Sequence, residues 1–333
     1  MKEGPASARR KRVFTLMVKG FLPRLRSRDD KRFFLVHLPV PLLVFLILSS
    51  MLAVILLKSL PILKREGISI FIENVWKAVE DNPEKEKYGL LAAIYGTLYT
   101  STIAILVAAP LAVGLAVAIE ELTPRGLRGV VSILVDLMAA TPTIVYGVWG
   151  ATYLAPAMKE FLDFMYQHFS WIPFFSEPPV TGYTIATAGV MLGIMIVPYA
   201  AAVIREAYSM LPRHIREAAY SIGATRFETI RILLGTVKPS IIAGLVLAFG
   251  RAMGETVAVS LVVGNSLDTP IAVTRPGITV SSLIASMFKS ASYYEYMESA
   301  LFAGGLALFV IGLAVNTLGI LYIKRWEEEI SRV

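Results

Sequence analysis

Six stretches of this chain, at about 33–57, 89–119, 129–158, 178–204, 239–264 and 299–323, are each long and apolar enough to cross a lipid bilayer. A transmembrane helix takes roughly 20 predominantly apolar residues. Hydrocarbon offers no partner for backbone N–H and C=O groups, so runs of this length fold as helices that satisfy those groups internally. The expected fold class is therefore an all-α integral membrane protein with six transmembrane helices. Composition agrees: 56% of residues are hydrophobic and 17% charged, against about 25% charged in soluble domains. The first apolar run exceeds the roughly 7–15 residues of a signal-peptide core and follows a 32-residue arm, so it is read as a retained helix.

Lysine and arginine set the expected orientation. Segments 1–32, 120–128, 205–238 and 324–333 carry 22 basic residues, the alternate segments carry 9, and one arginine, Arg251, lies within a span. Basic residues are retained on the cytoplasmic side, which places both termini there. The organisation expected is a basic cytoplasmic arm over 1–32, a first helix and external segment over 33–88, a core over 89–323 and a short tail over 324–333. The arm, with Arg9, Arg10, Lys11 and Arg12, reads as a topology anchor beside anionic lipid. Residues 58–88 read as a solvated external segment with a short amphipathic helix. Residues 159–178, with Trp171, Pro173, Pro178 and Pro179, read as an external loop at the interface.

Several chemistries lack their residues. There is no cysteine, and the three histidines, His37, His168 and His214, are far apart in sequence, which argues against a thiol nucleophile, a disulfide framework or a histidine-built metal centre. Neither H-E-x-x-H nor G-x-S-x-G occurs, so a membrane-embedded enzyme is disfavoured. The phosphate-cradling loop G-x-x-x-x-G-K-[ST] is also missing, so ATP hydrolysis of the usual kind would fall to another chain.

Two spans carry irregular residues. In TPTIVYG (141–147), Pro142 frees the carbonyl of residue 138, and Thr141 and Thr143 offer replacement hydroxyls. A kink or break is expected, serving either helix packing or a solute pathway. In GRAMGETVAV (250–259), Arg251 and Glu255 stand at i and i+4 on what reads as one helix face. Gly250 and Gly254 form a G-x-x-x-G that lets another helix approach. A charge at mid-bilayer costs roughly 2.5–3.5 kcal/mol on insertion scales, so it faces protein or a wet cavity. Two readings remain open from the residues: a structural ion pair, or an anion pathway in which the guanidinium fork meets oxyanion oxygens and Glu255 competes for it.

The segment RHIREAAYSIGATRFETIRILL (213–234) reads as two short helices with a sharp bend. Pro212 suits the first helical position, and Ile215, Ala218, Ala219 and Ile222 form an apolar stripe. Gly223 ends the first helix. Thr225 and Glu228 make the T-x-x-E box that opens the second, with Phe227, Ile230 and Leu234 on its apolar side. A DNA-reading helix-turn-helix is disfavoured, since only a few residues separate the second helix from Lys238 and the fifth span. An amphipathic surface pair or a docking element for a cytoplasmic partner remains.

Glu217-Ala218-Ala219-x3-Gly223 resembles the EAA loop of permease subunits of ATP-binding-cassette importers, departing from the family's closing I-x-L-P at Leu233-Leu234-Gly235-Thr236. YGTLYTSTIAILVAAPLAVGLAVAIEEL (95–122) is similar to the second span of type I importer permeases. ATPTIVYGVWG (140–150), GRAMGETVAVSLVVGN (250–265), ITVSSLIA (278–285) and ESALFAGGLALFVIGLAVN (298–316) are similar to the phosphate-specific branch, and to its C-type subunit. The resemblance implies the type I importer permease fold, with a cytoplasmic coupling helix that docks on an ATPase through Glu217, Ala218, Ala219 and Gly223. It also implies import of phosphate by alternating access, with Arg251 and Glu255 functionally important. The partners it implies are a related permease, two ATPase subunits that carry ATP and Mg, and an extracytoplasmic phosphate-binding protein. Segments 159–178 and 266–298 are candidates for contacting that protein. Permeation of another oxyanion or polar solute, or a passive anion channel, are the alternatives.

Overall fold

The computed structural model describes residues 36–80 and 82–330, with side chains to Trp326. The basic arm over 1–32 lies outside the described residues. The described residues divide into two units between Val54 and Ile55. The boundary falls within the first long helix, α1 (Pro39–Glu66).

Helix follows the apolar runs. After α1 come α2 (Leu91–Val117), α3 (Arg125–Ala140), α4 (Thr143–Trp149), α5 (Ala155–Phe169) and α6 (Ile185–Ser209). Then come α7 (Arg213–Ser221), α8 (Arg226–Thr236), α9 (Lys238–Gly254), α10 (Val257–Ser260), α11 (Val280–Met287) and α12 (Met297–Ile330). Among the described residues, four helical stretches are individually long and apolar enough to span a membrane; two bent pairs bring the number to as many as six.

The centre of the larger unit is the contact of α2 with α6, which α9 joins. Ala104, Ala108, Ala112 and Ala116 recur every four residues on α2 and are buried against Ala188, Leu192, Ile196 and Ala200 of α6. Small residues allow the two backbones to approach, which is how apolar helices pack in lipid, where hydrophobicity does not distinguish protein from solvent. Gly189 shows how close they come: a Cβ there would stand 2.5 Å from Cβ of Ile103.

A second core lies at the start of α12. Ile62, Ile70, Tyr88, Leu90, Met297 and Ala300 pack together there. Residues 58–88 do not form the expected amphipathic helix. Helix α1 continues to Glu66, and the rest folds as 3-10 turns and a hairpin, β1 (Trp76–Lys77) with β2 (Lys87–Tyr88), in the register Trp76 opposite Tyr88. Buried Glu86 replaces free solvent contacts: its carboxylate accepts from Tyr88 Oη at 2.8 Å and from the amides of Glu295 and Tyr296 at 3.2 Å each. The segment expected as a loop from 159 is helical through Phe169, as the last part of α5.

Candidate functional site

The third span is broken at TPT, and the axes on either side, α3 and the α4–α5 stretch, are bent by 86°. Pro142 has an extended ψ of 134° and caps α4 rather than kinking a continuous helix. A break of this kind orphans carbonyls at the end of α3. Thr141 Oγ1 donates to the carbonyl of Leu137 at 3.1 Å, and Tyr146 Oη to that of Met138 at 2.9 Å. Tyr199 Oη, from α6, donates to the carbonyl of Ala139. Of the two expected threonines, Thr141 thus caps a carbonyl one residue earlier than the one predicted, while Thr143 begins α4 and is half-buried.

The fifth span departs further from expectation. Helix α9 ends at Gly254, after 17 residues, and Glu255 is extended, with φ −69° and ψ 128°. Arg251 therefore sits in the last turn, where the negative end of the helix dipole favours a cation. The predicted i, i+4 pair does not form, because Glu255 is off the helix. Among the described residues no carboxylate stands within 4.0 Å of the Arg251 guanidinium. Glu255 is buried; its Oε1 accepts from the Ala258 amide at 3.4 Å, and its carbonyl accepts from Ser281 Oγ at 2.6 Å. Arg251 is exposed, and its guanidinium carbon lies 3.9 Å from the centroid of the Tyr199 ring.

Tyr199 accordingly joins the two broken helices: its hydroxyl caps α3 and its ring seats the arginine of α9. A direct contact adds to this. A Cβ at Gly147 of α4 would lie 2.8 Å from the Cα of Ala258 on α10, so the segments after both breaks run against each other. The arrangement presents a planar cation, held from one side by an aromatic face, beside a helix terminus. A guanidinium seated in this way presents a fork of N–H donors, a geometry that matches oxyanion oxygens.

The G-x-x-x-G face does not carry close helix packing. A Cβ on Gly250 would meet only Asn316 Nδ2 at 3.9 Å, and one on Gly254 nothing within 4 Å. Both glycines instead line a cavity of about 270 Å³ with Gly312 and Asn316 of α12. The close approaches to α9 come from other small residues: Gly319 of α12 against Val246, and Gly244 against Val203 of α6.

Helices α7 and α8 form the expected bent pair. Pro212 is the N-cap, one position before that predicted. Gly223 has φ +82°, and both hydrogen bonds of the Thr225–Glu228 box are present. Ala219, Thr229 and Leu233 are buried, while Glu217, Ala218 and Gly223 are exposed. Two apolar residues of the pair face outward, Ile222 at 82% and Phe227 at 75% exposure. The second helix rests on Leu233 and Val237 beneath Tyr208.

Sequence reasoning passed over Tyr199, Tyr146 and Glu121. Tyr199 and Tyr146 are phenols set within the apolar runs 178–204 and 129–158, which also hold Tyr183 and Tyr153. A phenol in such a run needs a polar partner, and that need was the available signal.

Residues 110–327 match the family described as "Binding-protein-dependent transport system inner membrane component". The chain belongs to that family. Among relatives of this transport component, one from Methanocaldococcus jannaschii, named "Probable phosphate transport system permease protein PstC", is 49% identical over 308 residues, covering 92% of this chain and 97% of its own. The "Phosphate transport system permease protein PstC" of Haemophilus influenzae is 35% identical, covering 86% and 90%. Among solved structures, a bacterial alginate ABC transporter in complex with a pentasaccharide-bound periplasmic protein superposes with a TM-score of 0.57 at 19% identity, covering 88% of this chain and 94% of its own. The chain is an integral membrane protein with the type I importer permease fold.

Proposed function

We propose that this chain is a permease subunit of an ATP-driven importer that moves inorganic phosphate into the cytoplasm by alternating access. The names of its relatives support the substrate. The observation that carries the reading at the site is Arg251: an exposed guanidinium with no carboxylate of the described residues in salt-bridge range, over the ring of Tyr199 at the end of a broken helix. A guanidinium fork matches two phosphate oxygens. Glu255 does not compete for Arg251 in this state; it fixes the turn after the break, so the tyrosine face takes the role of holding the fork.

The subunit itself is non-catalytic. Two ATPase subunits, carrying ATP and Mg, would dock on Glu217, Ala218, Ala219 and Gly223, where Ile222 and Phe227 supply exposed apolar area. A related permease completes the pathway opposite Arg251, Thr141 and Thr143, and an extracytoplasmic phosphate-binding protein delivers the anion. The positive-inside count supports cytoplasmic termini in a prokaryotic inner membrane.

The test is labelled-phosphate uptake into vesicles holding the full complex, with native Arg251 or Arg251→Ala, with and without ATP. ATP-dependent uptake that is lost in the assembled variant is the expected result. Equal uptake by the variant removes Arg251 from the pathway, and stronger competition by sulfate or molybdate than by unlabelled phosphate reassigns the substrate. Uptake that never exceeds the external concentration would indicate a passive channel.

A further inference from the structure

Helix α2 ends in a π-helical turn over Ala118–Leu122, and Glu121 lies within it. Its side chain is only 7% exposed, yet it belongs to no part of the pathway or of the exposed docking face described above. Glu121 Oε1 accepts from Arg216 Nη2 at 2.6 Å and from Tyr208 Oη at 2.8 Å. The backbone carbonyl of Glu121 accepts from Arg226 Nη2. Arg216 is on α7, Arg226 opens α8, and Tyr208 is in the last turn of α6. One residue of α2 thus holds both helices of the bent pair and the end of α6.

Elsewhere the pair is held mainly by apolar contact. Helix α8 rests on Leu233 and Val237, and α7 contributes Ala219 and half-buried Ile215. Apolar contact is non-directional and lets elements slide. Charge-assisted hydrogen bonds at a largely buried carboxylate are short and directional. The stiff connection between the bent pair and the α2–α6 centre is therefore the one at Glu121.

We propose that Glu121 is the positioning residue that passes movement of the α7–α8 pair to α2 and α6, and so to Tyr199 and Arg251. This rests on the reading of that pair as the ATPase-docking element. Arg216 and Tyr208 act through Glu121 and touch no substrate.

The experiment measures phosphate imported per ATP hydrolysed, and ATPase retained on purification, for the full complex with Glu121→Gln, Arg216→Met and the double substitution. Arg216→Met breaks the same contact from the more exposed side, so the cycle stands if the buried substitution fails to assemble. The expected result is ATPase retained and ATP still hydrolysed, with imported phosphate per ATP lower by about tenfold, inside the usual range for coupling between sites. The double variant should be no worse than either single one, as for residues that act as a unit. Native coupling in either single variant, or additive losses, overturns the proposal. Loss of the ATPase from an otherwise folded variant also overturns it, by making Glu121 an assembly residue. If instead the native complex retains no ATPase, or a bulky residue at Gly223 leaves coupling intact, the docking reading itself fails.

Discussion

Arg251 and Tyr199 form a stacked pair, guanidinium carbon to ring centroid 3.9 Å, and the hydroxyl of the same tyrosine caps the Ala139 carbonyl at the break between α3 and α4. The cation and the capped terminus therefore cannot shift independently, and substitutions at Tyr199 separate the two roles.

Tyr199→Phe keeps the ring and leaves the Ala139 carbonyl without its donor, a loss of about 1–3 kcal/mol if the group stays dry. Tyr199→Leu removes both the donor and the π face, worth a further ~0.5–2 kcal/mol. Thermal unfolding in detergent should place Phe below native and Leu below Phe, and phosphate uptake should fall much more for Leu. Equal uptake by the two variants would show that the ring does not seat Arg251 for transport.

Arg251→Lys retains the charge in the last turn of α9 but not the planar fork. Uptake should drop severalfold, with the larger change in apparent affinity, while assembly is unchanged. A lysine variant that transports like native would reduce the residue to a general electrostatic one.

Gly223 has φ +82° and nothing within 4 Å of an added Cβ, so a substitution there meets a backbone cost and no clash. Gly223→Ala should lose about 1–2 kcal/mol from the left-handed conformation alone, and Gly223→Asn less, because asparagine tolerates it better. Melting temperatures of the purified chain test the order Gly, Asn, Ala.

The Thr225 hydroxyl, then the Thr225 amide, donate to the Glu228 carboxylate and hold its carboxyl below the usual glutamate range. A lowered folded-state pKa contributes stability that is present above the unfolded value and disappears as pH falls through the folded value. Protection of the Thr225 amide, measured as exchange relative to its intrinsic rate, should therefore fall in acid, only below the ordinary glutamate titration. With Glu228→Gln that acid-induced step should vanish; an unchanged step would place its origin elsewhere.

What could be read from the sequence was local. Gly223 and the Thr225–Glu228 box lie within a few residues of one another, and short-range rules fix them without reference to the rest of the chain. The break at Pro142 was legible for the same reason, since proline lacks the N–H wherever it stands. The end of α9 at Gly254 was not. Its causes are distant or across the turn: Ser281 Oγ on the Glu255 carbonyl, and the Ala258 amide turned to the carboxylate. Spacing alone kept Arg251 and Glu255 on one face, and no residue near Glu255 announces the hydroxyl of α11. Ile222 and Phe227 show another limit: an amphipathic pattern puts both on an apolar side without saying what covers it, and they face outward.

The glycine and alanine seam between α2 and α6 leaves its own mark on how such a chain can change over generations. A methyl gained at Gly189 would press on Ile103, and one gained at Gly193 would stand 2.8 Å from Cβ of Val107. Volume cannot be added on one side without being surrendered on the other, so in a lineage that keeps this fold, 103 with 189 and 107 with 193 should drift as pairs. The seam is inherited as a fixed sum of sizes rather than as four separate letters.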